Sequence, residues 1–262
     1  MLPSKSDVSG SVAVNGAAKL KELMQKRQGR NEAVPKEPKT QPFQGVFTFD
    51  VTGSMFGYFD ACRENIANIT SQIHKQNPVS QFSIGYFRNR GDEDAFGLTK
   101  FHSDEKSIAQ EIGNIKKGGG SPDWRCCVQR CLHAANSLTW QEESAKALVC
   151  IVDQYPNGVH GATSACSHKI DWSYEIDNLQ EKGVRVYPVF VGDDEEIKGF
   201  YEQIAQRTDG RLLPISDMHL ITDMLVAIAI KETGGSVREY IQRLEKMGKL
   251  SIAHKQTLLL LE

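Results

Sequence analysis

In FTFDVTGSMFGYFD, Asp50, Thr52 and Ser54 stand at alternate positions. An apolar run stops at the carboxylate, turns through two hydroxyls and a glycine, and becomes helical in character. Two chemistries use such a turn. A divalent cation takes hard oxygen ligands from carboxylates and hydroxyls. An aspartyl-phosphate enzyme instead uses the carboxylate as a covalent nucleophile. Two later stretches have the same flavour: GGGSPDW, with Ser121 ahead of a helix, and VDQYPNG, with Asp153 closing an apolar run. Asp50, Thr52, Ser54 and Ser121 offer four oxygens, and Asp153 a fifth, directly or through water. An octahedral Mg²⁺ or Mn²⁺ needs about six. The missing ligand is a water or an oxygen from a partner. Neutral hydroxyls leave much of the ion's charge unquenched, which attracts an acidic side chain, Asp or Glu, from another protein. The helix starts after DVTGS and GGGSP add partial positive charge for the same anion.

The elements that must position these residues alternate between strand and helix. GVFTFDV reads as a strand. Met55, Phe59, Cys62, Ile66, Ile69 and Ile73 then form one apolar stripe at helical spacing. QFSIGYF is a second strand, followed by the charged loop RNRGDEDAFG and an edge strand near LTKF. Ile108, Ile112 and Ile115 mark a helix that ends at KKGGG, and a further helix runs from about Asp123 to Leu138. ALVCIVD is almost continuously apolar, as a central parallel strand covered on both faces must be. A long loop leads to a helix through Trp172, Ile176 and Leu179. The strand VRVYPVFVG follows, then a helix with Ile197, Phe200 and Ile204. The short strand RLLPI precedes a helix with Ile221, Met224 and Ile228. This order is a doubly wound α/β domain, a mostly parallel sheet with helices on both faces, over residues 44–233. Residues 1–43 read as a tail and linker, with Leu20, Leu23 and Met24 on a short amphipathic helix. Residues 234–262 form a helical extension after a glycine pair. In open α/β sheets ligands sit outside the carboxyl ends of the strands, where strand order reverses. The three polar stretches all fall at such ends.

DVTGSM before an amphipathic helix, then GGGSPDW and VDQYPNG, resembles the von Willebrand factor type A domain with its metal-ion-dependent adhesion site. The D-x-[ST]-x-S motif of that family is matched at Asp50, Thr52 and Ser54, its second-loop threonine at Ser121, and its third-loop aspartate at Asp153. The match is closest to intracellular and kinase-associated members. The resemblance implies a six-stranded Rossmann-like sheet, Mg²⁺ at its upper edge, and metal-dependent protein–protein interaction without catalysis by the domain itself. Serine in place of threonine at position 121, Gly120 in place of an acidic residue, and the bulkier Gln154 and Tyr155 depart from the pattern.

Other readings compete. The D-x-T-G opening also resembles the nucleophile loop of haloacid-dehalogenase-type phosphotransferases, with Lys182 and the acidic pair Asp193 and Asp194 as the remaining machinery. GDDEE is otherwise an acidic helix start. DVTGS could merely cap a helix through Ser54. The chain could also be a metal-free scaffold. RCCVQRC lacks the C-x-x-C spacing of a zinc or redox motif, and His160, Cys166 and His168 share one polar loop. Trp124 and Tyr155 either line a partner-binding rim or pack.

Composition narrows the field. At 262 residues the chain can bury one large core. A net charge of −2 gives no attraction to nucleic acid or an anionic membrane. No apolar run approaches the ~20 residues of a membrane span, and MLPSKSDVSGSVAVNG lacks the apolar centre of a secretory signal. Six cysteines fit no disulfide framework in a chain of this size, and Cys62, Cys131 and Cys150 fall at apolar positions. Together these suggest a cytoplasmic protein in a reducing compartment.

Overall fold

The computed structural model describes residues 41–262, apart from 90, 91, 93, 120–124, 160–167, 216 and 219. The expected tail, with its short helix, lies almost wholly outside these residues.

β1 (Phe43–Asp50) leads through a 3-10 turn (Gly53–Met55) into α1 (Phe56–Gln76). β2 (Gln81–Phe87), β3 (Phe96–Leu98) and α2 (Glu105–Asn114) follow. Next come β4 (Arg125–Cys126), α3 (Val128–Asn136), β5 (Ala145–Val152) and β6 (Tyr155–Pro156). α4 (Trp172–Glu181), β7 (Val184–Val191), α5 (Glu195–Arg207), β8 (Leu213–Ile215) and α6 (Leu220–Glu232) complete the alternation. α7 (Val237–Lys246) and α8 (Ile252–Leu259) close the chain.

The main sheet is six-stranded in the order β3-β2-β1-β5-β7-β8, parallel throughout except for β3, which runs antiparallel to β2. The expected doubly wound class is therefore observed. From β1 the chain moves outward to β2, and later returns to the other side of β1 with β5. Strand order thus reverses between β1 and β5.

The period-two alternation of strand side chains sorts the core into two layers. In β5, Ala147, Val149 and Ile151 join one buried cluster, while Leu148, Cys150 and Val152 join the other. The first cluster is closed by α1, α2 and α6, through residues such as Ile66, Ile112 and Met224. The second is closed by α3, α4 and α5, through Leu132, Ile176 and Ile204. Helices on both faces explain why every residue of β1 is buried.

Several boundaries differ from expectation. The edge strand lies at Phe96–Leu98, earlier than LTKF, where Gly97 pairs with Tyr86 of β2. The helix expected from Asp123 begins at Val128, because Arg125 and Cys126 instead pair in parallel with Tyr155 and Pro156. That two-residue ladder is non-local and leaves no periodic mark in the sequence. α6 is buried nearly all round rather than along one stripe, since Leu225, Val226 and Ala229 are also enclosed. The reason is the C-terminal extension: Val237, Tyr240, Ile241, Leu244, Leu258 and Leu261 belong to the same core cluster as α6 and the sheet. The extension is part of the domain core. Among the described residues, no helix is long and apolar enough to cross a membrane.

If the extension is core, Ile241→Ala, at a position 2% exposed, will lower the stability of the whole domain by about 2–4 kcal/mol. Urea unfolding followed by far-UV circular dichroism and by the fluorescence of the half-buried Trp140 and Trp172, packed against the other core layer, will show one shifted transition. Two separate transitions, with the sheet unchanged, would mean that the extension folds apart.

Candidate functional site

β1 and β5 are neighbours in register, with Phe49 beside Ile151, so Asp50 ends one strand next to the end of the other, where Asp153 follows Val152. This is the crevice at the strand-order reversal, the usual ligand position in such sheets. Asp50 and Thr52 are both 1% exposed; Asp153 is half-buried and Ser54 exposed.

The turn after β1 is organised by the carboxylate. Thr52 donates to Asp50 Oδ1 twice, from its backbone N–H at 2.9 Å and from its hydroxyl at 2.6 Å. This is an Asx-type turn that swings the chain from strand to helix. Ser54 reaches across to the other strand end and donates from Oγ to Asp153 Oδ2 at 2.5 Å. Neither hydroxyl caps a helix: the 3-10 turn and α1 both begin without a side-chain cap bond. The capping reading of DVTGS is therefore set aside. Both hydroxyls are turned toward carboxylates.

What remains unsatisfied is more telling. Asp50 Oδ2 and Asp153 Oδ1 are buried and, among the described residues, accept no hydrogen bond. Burial, and then the nearby Asp153, push the Asp50 carboxyl up to about 7 from an ordinary 3.8, against the lowering effect of the Thr52 bonds. Burial also raises Asp153, with Ser54 opposing it. Two desolvated carboxylates side by side resist sharing two negative charges. The donor set suits a small hard cation: two orphaned carboxylate oxygens, flanked by two hydroxyl oxygens that retain lone pairs.

The described surroundings support the rim, and Asp92 adds a further negative charge that acts on Asp50. Gly118 N–H donates to Val51 O at 3.1 Å, which brings the start of the GGG loop against the end of β1. Gly119 has φ +84, and a Cβ there would meet Asp92 Oδ2 at 2.2 Å. Ser121 and Trp124 lie outside the described residues. Beneath the rim, Cys126 is fully enclosed, and burial together with Asp50 and Asp153 holds its thiol well above the usual range. It packs its sulfur toward the carbonyls of Gln154 and Tyr155, at 3.8 and 3.6 Å. Tyr155 is 8% exposed, set edge-on to Phe200 and under Arg125, so it packs rather than lining an open rim. Gln154, equally buried, is anchored by Tyr201, whose hydroxyl donates to its carbonyl at 2.7 Å. Sequence reasoning missed Tyr201, because its burial follows from packing between α5 and the sheet.

The phosphotransferase machinery does not assemble. Lys182 lies just before β7 begins, whereas Asp50 ends β1. With the strands parallel, an eight-residue strand of about 3.3 Å per residue separates the two edges. Lys182 donates instead to Asn136 Oδ1 at 3.1 Å. Asp194 caps α5, accepting from the N–H groups of Glu196 and Ile197 at 2.9 and 3.1 Å. GDDEE is thus a helix start. Of the loop once considered for zinc, His160 and Cys166 lie outside the described residues.

No protein-family model matches the chain, and no curated protein matches it. Among solved structures, it is similar to the pilus adhesin SpaC from Lactobacillus rhamnosus GG in its open conformation, with a TM-score of 0.56 and 12% identity. That match covers 75% of this chain and 30% of the adhesin. A second structure of the same adhesin gives a TM-score of 0.57 and 12% identity, over 75% and 31%. The chain therefore spans less than a third of the adhesin chains it resembles, and the likeness is one of fold. These findings overturn the expected membership of the von Willebrand factor type A family and the adhesion-site identity that went with it. In addition, among the described residues no three His, Cys, Asp or Glu side chains gather as a group that could hold a metal ion. The physical reason for the misreading is local. An aspartate two residues before a threonine makes the strand-to-helix turn by itself, so the motif carries less family information than its spacing suggests.

Asp50 gives a pH test with a defined sign. Its folded value, about 7, lies above its ordinary 3.8. In EDTA, the Asp50 contribution to stability is therefore greatest at low pH and falls as pH rises from about 4 to about 7, by up to about 4 kcal/mol. Asp50→Asn will flatten this slope and be more stable than the native chain at pH 8. Urea midpoints across that range check it; an unchanged slope in the variant would show that Asp50 is ionised throughout.

Proposed function

We propose that the rim formed by Asp50 and Asp153 captures an acidic side chain of a partner protein through a divalent cation, Mg²⁺ or Mn²⁺, shared between the two chains. The observation that carries this reading is the pair of buried carboxylate oxygens, Asp50 Oδ2 and Asp153 Oδ1, that accept nothing from the described residues. Each such group costs about 1–3 kcal/mol or more when left without a partner, and one small cation offsets both. Thr52 and Ser54 complete the near side of the shell, and Ser121 belongs to it on its sequence position. When bound, the ion supplies the positive charge that an incoming Asp or Glu completes. The protein's part is to hold the oxygens rigidly on two adjacent strand ends and to keep water from the inner face.

A binding role is favoured over catalysis. Lys182 lies at the opposite edge of the sheet from Asp50 and donates to Asn136, and Asp153 accepts from Ser54. A cytoplasmic setting belongs to the same proposal, supported by the free thiols of Cys62, Cys126, Cys127, Cys131 and Cys150, all buried.

The test is thermal melting of the full chain with Mg²⁺ or Mn²⁺ against EDTA, followed by capture of partner from an extract under both conditions. Saturating cation will raise the melting temperature by about 5–10 °C. Asp50→Ala and Thr52→Ala will lose both this shift and the EDTA-sensitive capture. Melting that ignores the cation would leave a metal-free scaffold as the reading. A phosphoryl mimic such as BeF₃⁻ attaching at Asp50 would restore the phosphotransferase.

A further inference from the structure

A second cavity, of about 510 Å³, lies between β3, α3 and α4, and shares no lining residue with the Asp50–Asp153 rim. It falls within the roughly 300–1,000 Å³ of small-molecule sites. Its chemistry is asymmetric. The acids in its lining are already engaged within the protein. Glu175, 5% exposed, accepts from His133 Nδ1 at 2.8 Å and from Asn136 Nδ2 at 2.7 Å. Asp171 caps α4 by accepting from Ser173 N–H at 2.8 Å.

Among the described residues the cations have no such partner. Arg130 and Lys169 line the same cavity, and among the described residues no carboxylate lies within ion-pair distance of either. Arg130 is held in place by stacking over the Phe96 ring, 5.1 Å from its centroid, which leaves the edge of its planar fork for an anion. Because His133 donates from Nδ1 to Glu175, its Nε2 is left for a ligand, as an acceptor for a phosphate hydroxyl when the ring is neutral and as a donor when it is protonated. His168 adds a further ring nitrogen to the lining. Asp171 and Glu175 keep their own negative charge while bonded to Ser173, His133 and Asn136, so an anion is drawn to the Arg130 and Lys169 side of the cavity. The remaining wall is apolar and aromatic, with Ile170, Phe96 and Tyr174, and Tyr174 is 64% exposed.

From this juxtaposition we propose that the cavity between α3 and α4 binds a small phosphate monoester carrying a planar ring. Arg130 and Lys169 neutralise the phosphate, His133, oriented by Glu175, contributes a ring nitrogen, and Tyr174 and Phe96 flank the ring. Glu175 is a positioning residue, acting only through His133.

Calorimetric titration of the full chain with phenyl phosphate tests this, with inorganic phosphate and benzoate as parallel ligands. Saturable binding of phenyl phosphate, at least about tenfold tighter than either, is expected. Arg130→Ala will weaken it about tenfold or more, the loss of a charge-assisted contact. Arg130→Lys will recover part of it, and Lys106→Ala, on α2 away from the cavity, will bind as the native chain does. Glu175→Gln keeps the side-chain volume and will weaken binding without matching the loss at Arg130. Melting temperatures of each variant guard against misfolding. Adenosine monophosphate and phosphotyrosine amide, compared last, separate a nucleotide from a protein-borne phosphate. No saturable heat, benzoate binding as well as phenyl phosphate, or native affinity in Arg130→Ala would each overturn the proposal. None of these outcomes depends on cation binding at Asp50.

Discussion

Two carboxylates at the ends of adjacent parallel strands, both withdrawn from water, set the terms for this end of the molecule. Asp50 and Asp153 cannot easily both be charged at such close quarters, and burial raises the protonation preference of each. The protein tempers this with hydroxyls: Thr52 bonds one carboxylate and Ser54 the other. Two oxygens are still left over. A rim with that composition is held in a high-energy state by the packing beneath it. Asp50 ends a strand with no exposed residue, and Asp153 continues a strand whose last six residues are buried.

That rigidity comes from the sheet and from both helical layers. β1 lies between β2 and β5, so the backbone at Asp50 is fixed on two sides by parallel ladders. Cys126, Tyr201 and Gln154 fill the space just below, on the α3–α5 face. The opposite face is sealed by α1 and by a buried α6 that α7 and α8 enclose in turn. The C-terminal helices thereby contribute indirectly to the site. They allow α6 to be apolar on nearly all sides, and so allow a tighter core under β1.

The cavity at Glu175 follows a contrasting logic. There the buried carboxylate is fully partnered, and the neighbouring cations have no ion-pair partner among the described residues. One end of the domain thus presents carboxylate oxygens, and one flank presents cations, without a partner among the described residues. A net charge of −2 for the whole chain conceals both.

The sequence by itself determined the class of fold, because hydrophobic period is a local property. The 4-3-4-3-4 stripe of α1 and the continuous apolar run of β5 can be read from adjacent residues. It also determined that Asp50, Thr52, Ser54 and Asp153 sit at strand ends. Family membership was not legible: an Asx turn repeats the same few residues wherever a strand must bend into a helix. Only the tertiary structure decided that β1 and β5 are neighbours, that Ser54 bonds Asp153 from 99 positions away, and that Lys182 lies at the far edge. It alone decided that Tyr155 is buried and that β4 pairs with β6. These are long-range contacts, and their energies depend on what lies across the sheet rather than along the chain. Periodicity therefore registers which face a residue must show, while only packing registers what it will meet there.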